Sequence, residues 1–503
     1  MPAPRDFTDT TGRKIPAAWR ALAPILGVAL VFRLAMASQT IVHQPDEIWQ
    51  YLEPAWGRLT GHWIVAWEFH EGIRGWLVPM LLTPSLALGH AIAPDTMLHL
   101  WLTRGLLGLL SLGVVASFFA MGERISRQHA IVAGWVGAIW VEIFYFAARP
   151  SGDGIALTLT VPALWLAMRL RERPSMRLAG MLGLLLGLAF IVRFQYAPAL
   201  ALIGLLAVSG DPRRTLLPLA GGSLVAIALG ALADMAAGAP PLLWLWRNFA
   251  INLGENRSAS FGTQPPWWFV TQIGATWHIA MLVLLPSLLT GARRFPFVAV
   301  IALVVIASHS LIPHKEYRFV ILAIALGVFL AAIGSVDLWK ALAGRWRVAE
   351  RINATIALCV LWFLLSAVVG ATKPFSAYWG NGRAANTMLA KAGRTPGICG
   401  LALFQEPDLP MANYTYLNRS VPVMLLEGRR SAASAQAMAP AFNVIIAPRL
   451  SAPELPASYR QVECLQPHKA PEKQKFCLFM RPGTCTVPPG DFDYNTVLRR
   501  LGH

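Results

Sequence analysis

The chain has 503 residues, of which 55% are hydrophobic and only 14% charged, with a mean hydropathy of +0.51. A soluble protein of this length carries more surface charge and far fewer apolar runs of helix-spanning length, so a water-soluble globular class is excluded. The net charge of +17 does not indicate nucleic acid, because Lys and Arg fall in short clusters between apolar stretches rather than on one soluble face.

A polar stretch of about twenty residues precedes the first apolar run, and no cleavable signal pattern is expected. Apolar runs then begin near Ala21, Leu100, His129, Gly154, Leu178, Ala197, Thr215, Trp267, Phe297, Val320 and Asn353. Each approaches the ~20 residues a helix needs to cross the hydrocarbon core, which predicts an α-helical multi-pass membrane protein with about eleven transmembrane helices.

Alternate loops differ in charge. One set is short and basic: Arg13, Lys14 and Arg20; Arg124 and Arg127; Arg171, Arg173 and Arg177; Arg213 and Arg214; Arg293 and Arg294; and Lys340, Arg345, Arg347 and Arg351. The positive-inside rule places these loops in the cytoplasm. The other set comprises residues 41–75, 149–153, 193–196, 238–266, 314–319 and everything after Ala371. It is longer or richer in motifs and is expected outside. Residues 76–93 are apolar enough to span, but they hold Pro79 and Pro84, and no basic residue follows them. Counting them as a span would invert every later loop, so a re-entrant or membrane-lying segment is predicted.

After Ala371, Gly, Pro and polar residues increase, and short β-like runs appear at 398–404, 421–425, 443–447 and 475–480. These predict two parts: a transmembrane domain over residues 1–371, with its active-site loop at 41–75, and a small extracytoplasmic α/β domain over 372–503. Cys399, Cys464, Cys477 and Cys485 fall in the second part, and Cys359 in an apolar run. Four cysteines in one small external domain suggest disulfides of open connectivity; thiols of a buried core are the alternative.

Three features can carry chemistry. The first external loop reads His43-Gln-Pro-Asp46-Glu47-Ile-Trp49-Gln50-Tyr-Leu-Glu53-Pro, then Trp67-Glu68, Glu71 and Gly72-Ile-Arg74. Carboxylates gathered beside a membrane suit a general base, since an attacking hydroxyl must lose its proton; a solvated surface helix would look the same. Asp153 can join them only through folding. The second feature, His314-Lys315-Glu316-Tyr317-Arg318-Phe319, offers three potential cations to an anion such as a phosphate, or else a belt of basic side chains at the headgroups. The third is a set of ionisable residues in or at the ends of spans: Arg33, Arg104, Glu142, Arg149, Arg193, Asp234 and His309. Such groups are costly in a membrane and mark sites or structural pairs, for instance an Arg with Glu142.

The two motifs, some 270 residues apart and in family order, resemble those of the glycosyltransferase family 22 mannosyltransferases over roughly residues 20–371. The resemblance implies a C-type glycosyltransferase fold and a polyprenyl-phosphate sugar donor, most often mannose, used with inversion at the anomeric carbon. The acceptor would be a hydroxyl of a lipid-linked or other glycan. Asp46 would be the catalytic base with Glu47 as a second acidic partner. His314, Lys315, Arg318 and Arg193 would face the donor phosphate, while Glu53, Trp67, Glu68, Arg74 and Asp153 would support the acceptor and its loop. No cofactor and no metal are expected. Gln44 between His43 and Pro45, Ala66 before Trp67-Glu68, and Thr60-Gly61-His62-Trp63 depart from the family pattern and bear on the acceptor and sugar more than on the reaction.

The preponderance of Arg over Lys suggests a bacterial inner membrane with a periplasmic site; a eukaryotic chain would sit in the ER. A transporter or flippase for a lipid-linked glycan is the competing class, but it should show internal symmetry and broken helices in matching halves. A non-catalytic assembly partner docking through its C-terminal domain is a third.

Overall fold

The computed structural model describes residues 17–343, 353–404, 412–426, 431–467 and 475–501. Of the expected basic loop residues, Arg13, Lys14, Arg345, Arg347 and Arg351 lie outside the described residues. Among the described residues, seven helices are long and apolar enough to cross a bilayer, and an eighth span results if Arg127–Ile139 and Val141–Ala147, bent by 56° at Trp140, count as one. The remaining spans expected near Leu178, Ala197 and Phe297 are the shorter apolar helices Met176–Val192, Phe194–Val208 and Pro296–Ser310. Helix length by itself therefore yields seven or eight spans rather than eleven.

Helix starts follow local chemistry. Ser126, Ser175, Asp211 and Asn353 each precede a helix and accept from its first backbone N–H groups, which have no partner within the helix. Close helix pairs depend on residues without side chains. A Cβ on Gly183 would stand 1.9 Å from the Leu219 carbonyl oxygen, and one on Gly334 would stand 1.9 Å from that of Ser287. Small residues let helices approach where lipid supplies no hydrophobic drive between them.

The break at Trp140 frees carbonyls at the end of its first helix. The fully buried Arg33 donates to two of them, Gly137 (3.1 Å) and Ala138 (3.2 Å), and to Ser111 Oγ (2.7 Å). A cation at a helix C-terminus completes those carbonyls and opposes the helix dipole. Glu142, two residues past the break, takes indole N–H bonds from Trp140 (2.8 Å) and Trp277 (2.9 Å) and the hydroxyl of Tyr317, and pairs with no arginine among the described residues. Both charges are structural.

The basic loops meet at one end of the bundle. Arg124 pairs with Glu172, Gly210 packs on the backbone of Arg171, and Asp337 joins Arg294 (2.9 Å) to His129 (3.3 Å). The motif-bearing loops gather at the other end with the C-terminal domain. Residues 76–93 form the helix Leu77–Ile92, and both of its ends lie there. Trp76 N donates to Asp234 at its start (2.9 Å), while Asn418 donates to the carbonyls of Pro94 (2.5 Å) and Thr96 (3.2 Å) beyond its end. The helix enters and leaves on one side.

The C-terminal domain is a five-stranded sheet of β1 (Leu401–Phe404), β2 (Val423–Leu426), β3 (Val444–Pro448), β4 (Arg460–Leu465) and β5 (Phe476–Met480), in the order β2-β1-β3-β5-β4. The first three are parallel and the last two antiparallel. Strand β4 was not expected. It is a half-exposed edge whose polar residues hide the alternation. Disulfides join Cys399 to Cys485 and Cys464 to Cys477, and Cys359 is free.

This domain shares one apolar cluster with the first external loop, bringing Ile48, Leu52, Trp56 and Ile64 against Leu389, Tyr416 and Leu417. Hydrogen bonds fix the seam. Asn381 donates to His43 O (2.8 Å), Trp49 Nε1 to Ala412 O (3.0 Å), and Asn495 holds Trp63 O (3.0 Å) and Val65 N (2.8 Å). Glu53 is the buried centre, accepting from Thr415 N (2.8 Å), Thr415 Oγ1 (2.5 Å) and Ile64 N (2.8 Å). Burial pushes its carboxyl above the ordinary range, opposed by those bonds. Substituting Glu53→Ala leaves two buried N–H groups without an acceptor, at about 1–3 kcal/mol each. The detergent-solubilised variant should melt several degrees lower, with earlier protease cleavage in the C-terminal domain; an unchanged melt would contradict the seam.

Candidate active site

A cavity of about 580 Å³ opens between the external loops. Its first wall is the Pro45 turn. Pro45 O accepts from Ile48 N (2.9 Å) and Trp49 N (3.0 Å), starting the π-helical turn Glu47–Leu52 that runs into Glu53–Thr60. Wide turns of this kind often occur at functional sites. Asp46, at the head of the turn, lines the cavity with Trp49 and Gln50, and its side chain keeps 29% exposure.

Glu47 is placed elsewhere. Successive residues on a helical turn point well apart, and Glu47 turns inward to Arg149 (3.2 Å) and to the backbone N–H of His43 (2.7 Å). The expected second acidic partner of Asp46 is instead half of a buried ion pair that anchors the loop from behind. Glu53, at the C-terminal seam, does not line the cavity either.

The basic motif also splits. Glu316 is extended (φ −125°, ψ 145°), so successive residues face opposite ways. His314, Glu316 and Arg318 line the cavity. Lys315 points away and donates Nζ to the carbonyls of Gln264 (3.0 Å) and Ile312 (2.5 Å), while Tyr317 reaches Glu142. The expectation that Lys315 faces a phosphate is thus corrected: it latches two loops together, reinforced by Gln264 N on Pro313 O (2.9 Å).

Arg318 is the hub of the site. Its Nη2 donates to Asp46 Oδ2 (2.5 Å), its Nε to Glu316 Oε2 (2.9 Å), and its Nη1 faces Asp153 Oδ2 at 3.8 Å. Asp153 Oδ1 in turn meets Arg193 Nε at 3.0 Å. His314 Nε2 meets Glu316 Oε1 at 3.1 Å and its Nδ1 meets Gly262 O at 3.2 Å. Burial alone would raise the Glu316 carboxyl, but Arg318 and His314 outweigh it and hold it well below the usual range. The bond to Glu316 raises His314 above its ordinary value, against burial and Arg318.

On the opposite wall, Glu68 accepts from Gln50 Nε2 (2.7 Å) and faces Arg74 at 3.8 Å. Burial raises its carboxyl, opposed by Arg74. Trp67 stacks on Phe261 (5.9 Å) with Arg257 over its ring (5.0 Å). Further lining comes from residues 248–261, including Asn248, Asn252, Ser258 and the apolar Phe249, Leu253 and Phe261. Asn248 and Asn252 sit four residues apart on one helical face. That spacing is a readable signal; His309, which the sequence marks as an ionisable residue at the end of a span, is brought to the same cavity by tertiary packing.

The cations differ in what they still offer. The Nε and Nη2 of Arg318 are committed to carboxylates. Among the described residues, no hydrogen bond engages the Nη atoms of Arg193 or any guanidinium nitrogen of Arg74, and both residues line the cavity.

The family model described as the Alg9-like mannosyltransferase family matches residues 25–378, more than half the chain and including both cavity motifs. The chain belongs to the Alg9-like mannosyltransferase family. Among relatives, it is 28% identical over 317 residues to GPI mannosyltransferase 3 of Yarrowia lipolytica (59% of this chain, 59% of that one). It is 23% identical over 291 residues to GPI alpha-1,2-mannosyltransferase 3 of Homo sapiens (55% and 50%). The matches thus span about half to three fifths of these relatives' length. Among solved structures, ArnT from Cupriavidus metallidurans bound to undecaprenyl phosphate aligns with a TM-score of 0.58 at 13% identity, over 94% of this chain and 100% of that one. The apo form aligns with 0.55 at 14%, over 92% and 98%. The fold is the C-type glycosyltransferase fold of an integral membrane protein, as the motifs implied.

The His314–Glu316 contact carries a pH signature. Since the folded-state pKa of His314 lies above its ordinary 6.5, the stability it contributes is fully present below that value and is lost as pH rises through the folded value. Hydrogen exchange of residues 311–319, corrected for intrinsic rates, should show protection falling from mildly acidic to alkaline pH. Protection that is flat or rises would contradict the contact.

Proposed function

We propose that this chain is an inverting mannosyltransferase that moves mannose from a polyprenyl-phosphate donor to a hydroxyl of a lipid-linked or glycan acceptor, on the extracytoplasmic face of its membrane. The observation that carries the reading is one cavity holding a reachable carboxylate, Asp46, together with two arginines, Arg193 and Arg74, whose Nη atoms carry no hydrogen bond among the described residues. The relatives' names support the sugar, and the basic loops at the far end of the bundle support the sidedness.

In this reading the acceptor oxygen attacks the anomeric carbon as Asp46 takes its proton on Oδ1, the oxygen that Arg318 does not hold. The bond from that carbon to the phosphate oxygen breaks, and the polyprenyl phosphate departs with the electron pair. Its growing negative charge is met by Arg193, Arg74 and the Arg318–His314 wall, fixed before reaction by their carboxylates. Phe249, Leu253, Phe261 and Phe319 give the first prenyl units an apolar lining. Glu47, Glu53 and Lys315 act at a distance, holding the loops that carry these groups.

The test is transfer from radiolabelled polyprenyl-phosphate mannose in membranes of equal protein level. Asp46→Asn should lose about 10²–10⁴-fold, and near wild-type transfer would sink the base assignment. Arg193→Ala and Arg74→Ala should raise the donor KM. Lys315→Ala should act mainly through stability. If Lys315→Ala alone raised the donor KM, the phosphate would lie on the other side of the 314–318 segment.

A further inference from the structure

Among the described residues that line the cavity, one buried acceptor has no hydrogen bond: Nε2 of His309, which stands with the unbonded Nε donors of Arg74 and Arg193. The ring is fixed on every other side. Nδ1 meets the Val305 carbonyl at 2.8 Å, one helical turn back. A carbonyl oxygen only accepts, so Nδ1 carries the proton and Nε2 of the neutral ring presents a lone pair. Tyr196 packs edge-on at 5.6 Å and Phe319 lies at 6.4 Å, leaving 2% of the residue exposed. Phe319 also carries the Arg193 guanidinium over its ring at 4.6 Å. An unfilled acceptor therefore stands beside a cation with unfilled donors.

The pairing is selective. A phosphate oxygen satisfies Arg193 but offers nothing to a lone pair, and a prenyl chain offers nothing to either. A hydroxyl attached close to the phosphate satisfies Nε2, and in a polyprenyl-phosphate sugar only the sugar ring supplies one. The acceptor hydroxyl is placed with Asp46, which the Asp153–Arg318 link separates from Arg193.

We infer that His309 is a sugar-specificity residue whose Nε2 accepts a hydrogen bond from one hydroxyl of the transferred sugar while Arg193 holds the adjoining phosphate. The assignment rests on the polyprenyl-phosphate donor proposed above and adds which protein atom reads the sugar. A buried site built to bond a hydroxyl discriminates against the analogue that lacks it, because its own polar atom is then left unpaired.

The experiment measures kcat/KM of the purified full chain with polyprenyl-phosphate mannose and each of its monodeoxy analogues, for wild type, His309→Phe and His309→Gln. With wild type, one deoxy position should cost about ten- to a hundred-fold. In His309→Phe that same position should cost nothing further, while the other positions keep their wild-type costs. His309→Gln, which restores an acceptor oxygen, should recover part of the penalty and shows that any loss in the Phe variant is not misfolding. Deoxy costs identical in wild type and His309→Phe at every position would overturn the assignment while leaving the donor reading intact. A wild-type enzyme that transfers nothing from the parent mannosyl donor would overturn the donor reading and this assignment together.

Discussion

The arrangement depends on one buried guanidinium. Arg318 is 5% exposed and is shared among Asp46, Glu316 and Asp153, which come from the first external loop, its own segment and the start of the helix Gly152–Glu172. A buried cation is costly unless its donors are filled, and removing one partner of such a pair costs about 3–5 kcal/mol. That constraint ties two motifs 270 residues apart to one geometry. It orients Asp46 through one oxygen and leaves the other open, and through Asp153 it sets Arg193 on the same network. In the proposed reaction, positioning of the base and charge stabilisation of the leaving group would share a single cluster, which lowers reorganisation when charge moves.

A second layer holds that cluster from outside. The first external loop is clamped between the Arg149–Glu47 ion pair on its membrane side and the Glu53–Thr415 seam on the side of the C-terminal domain. Neither acidic residue meets the cavity, yet both fix the backbone that carries Asp46. The C-terminal domain, whose sheet has no part in the cavity lining, is in this account a structural brace for the catalytic loop. Lys315 does the same for the loop at 255–264, so three latches hold the two loops that wall the cavity.

Much of this was legible in sequence because it follows from composition and order. Apolar runs gave the helical class, and the alternation of basic loops grouped the motif-bearing loops at one end. The prolines of segment 76–93 and the lack of a basic residue after it point to a re-entrant or membrane-lying piece, and its two ends lie on one side. The four expected strands of the C-terminal domain all form within a few residues of their predicted places. What was not legible depends on direction and distance. Glu47 differs from Asp46 only by the angle between neighbours on a helical turn, and Lys315 from Arg318 by the alternation of an extended backbone. The intramembrane ionisable residues looked alike in sequence. Arg33 proves to complete a broken helix at Trp140, Glu142 collects indoles, and only Arg193 and His309 reach the cavity. No local pattern marks that break, since it contains neither Pro nor Gly.

A structure with a non-transferable polyprenyl-phosphate mannose analogue bound would show whether the Nη atoms of Arg193 and Arg74 hold the donor phosphate while Asp46 addresses the sugar. Phosphate density is expected against the Nη atoms of Arg193, within reach of Arg74, with the anomeric carbon turned towards Asp46 Oδ1. Phosphate density against Lys315, or a sugar outside the cavity that Asp46 lines, would contradict that placement.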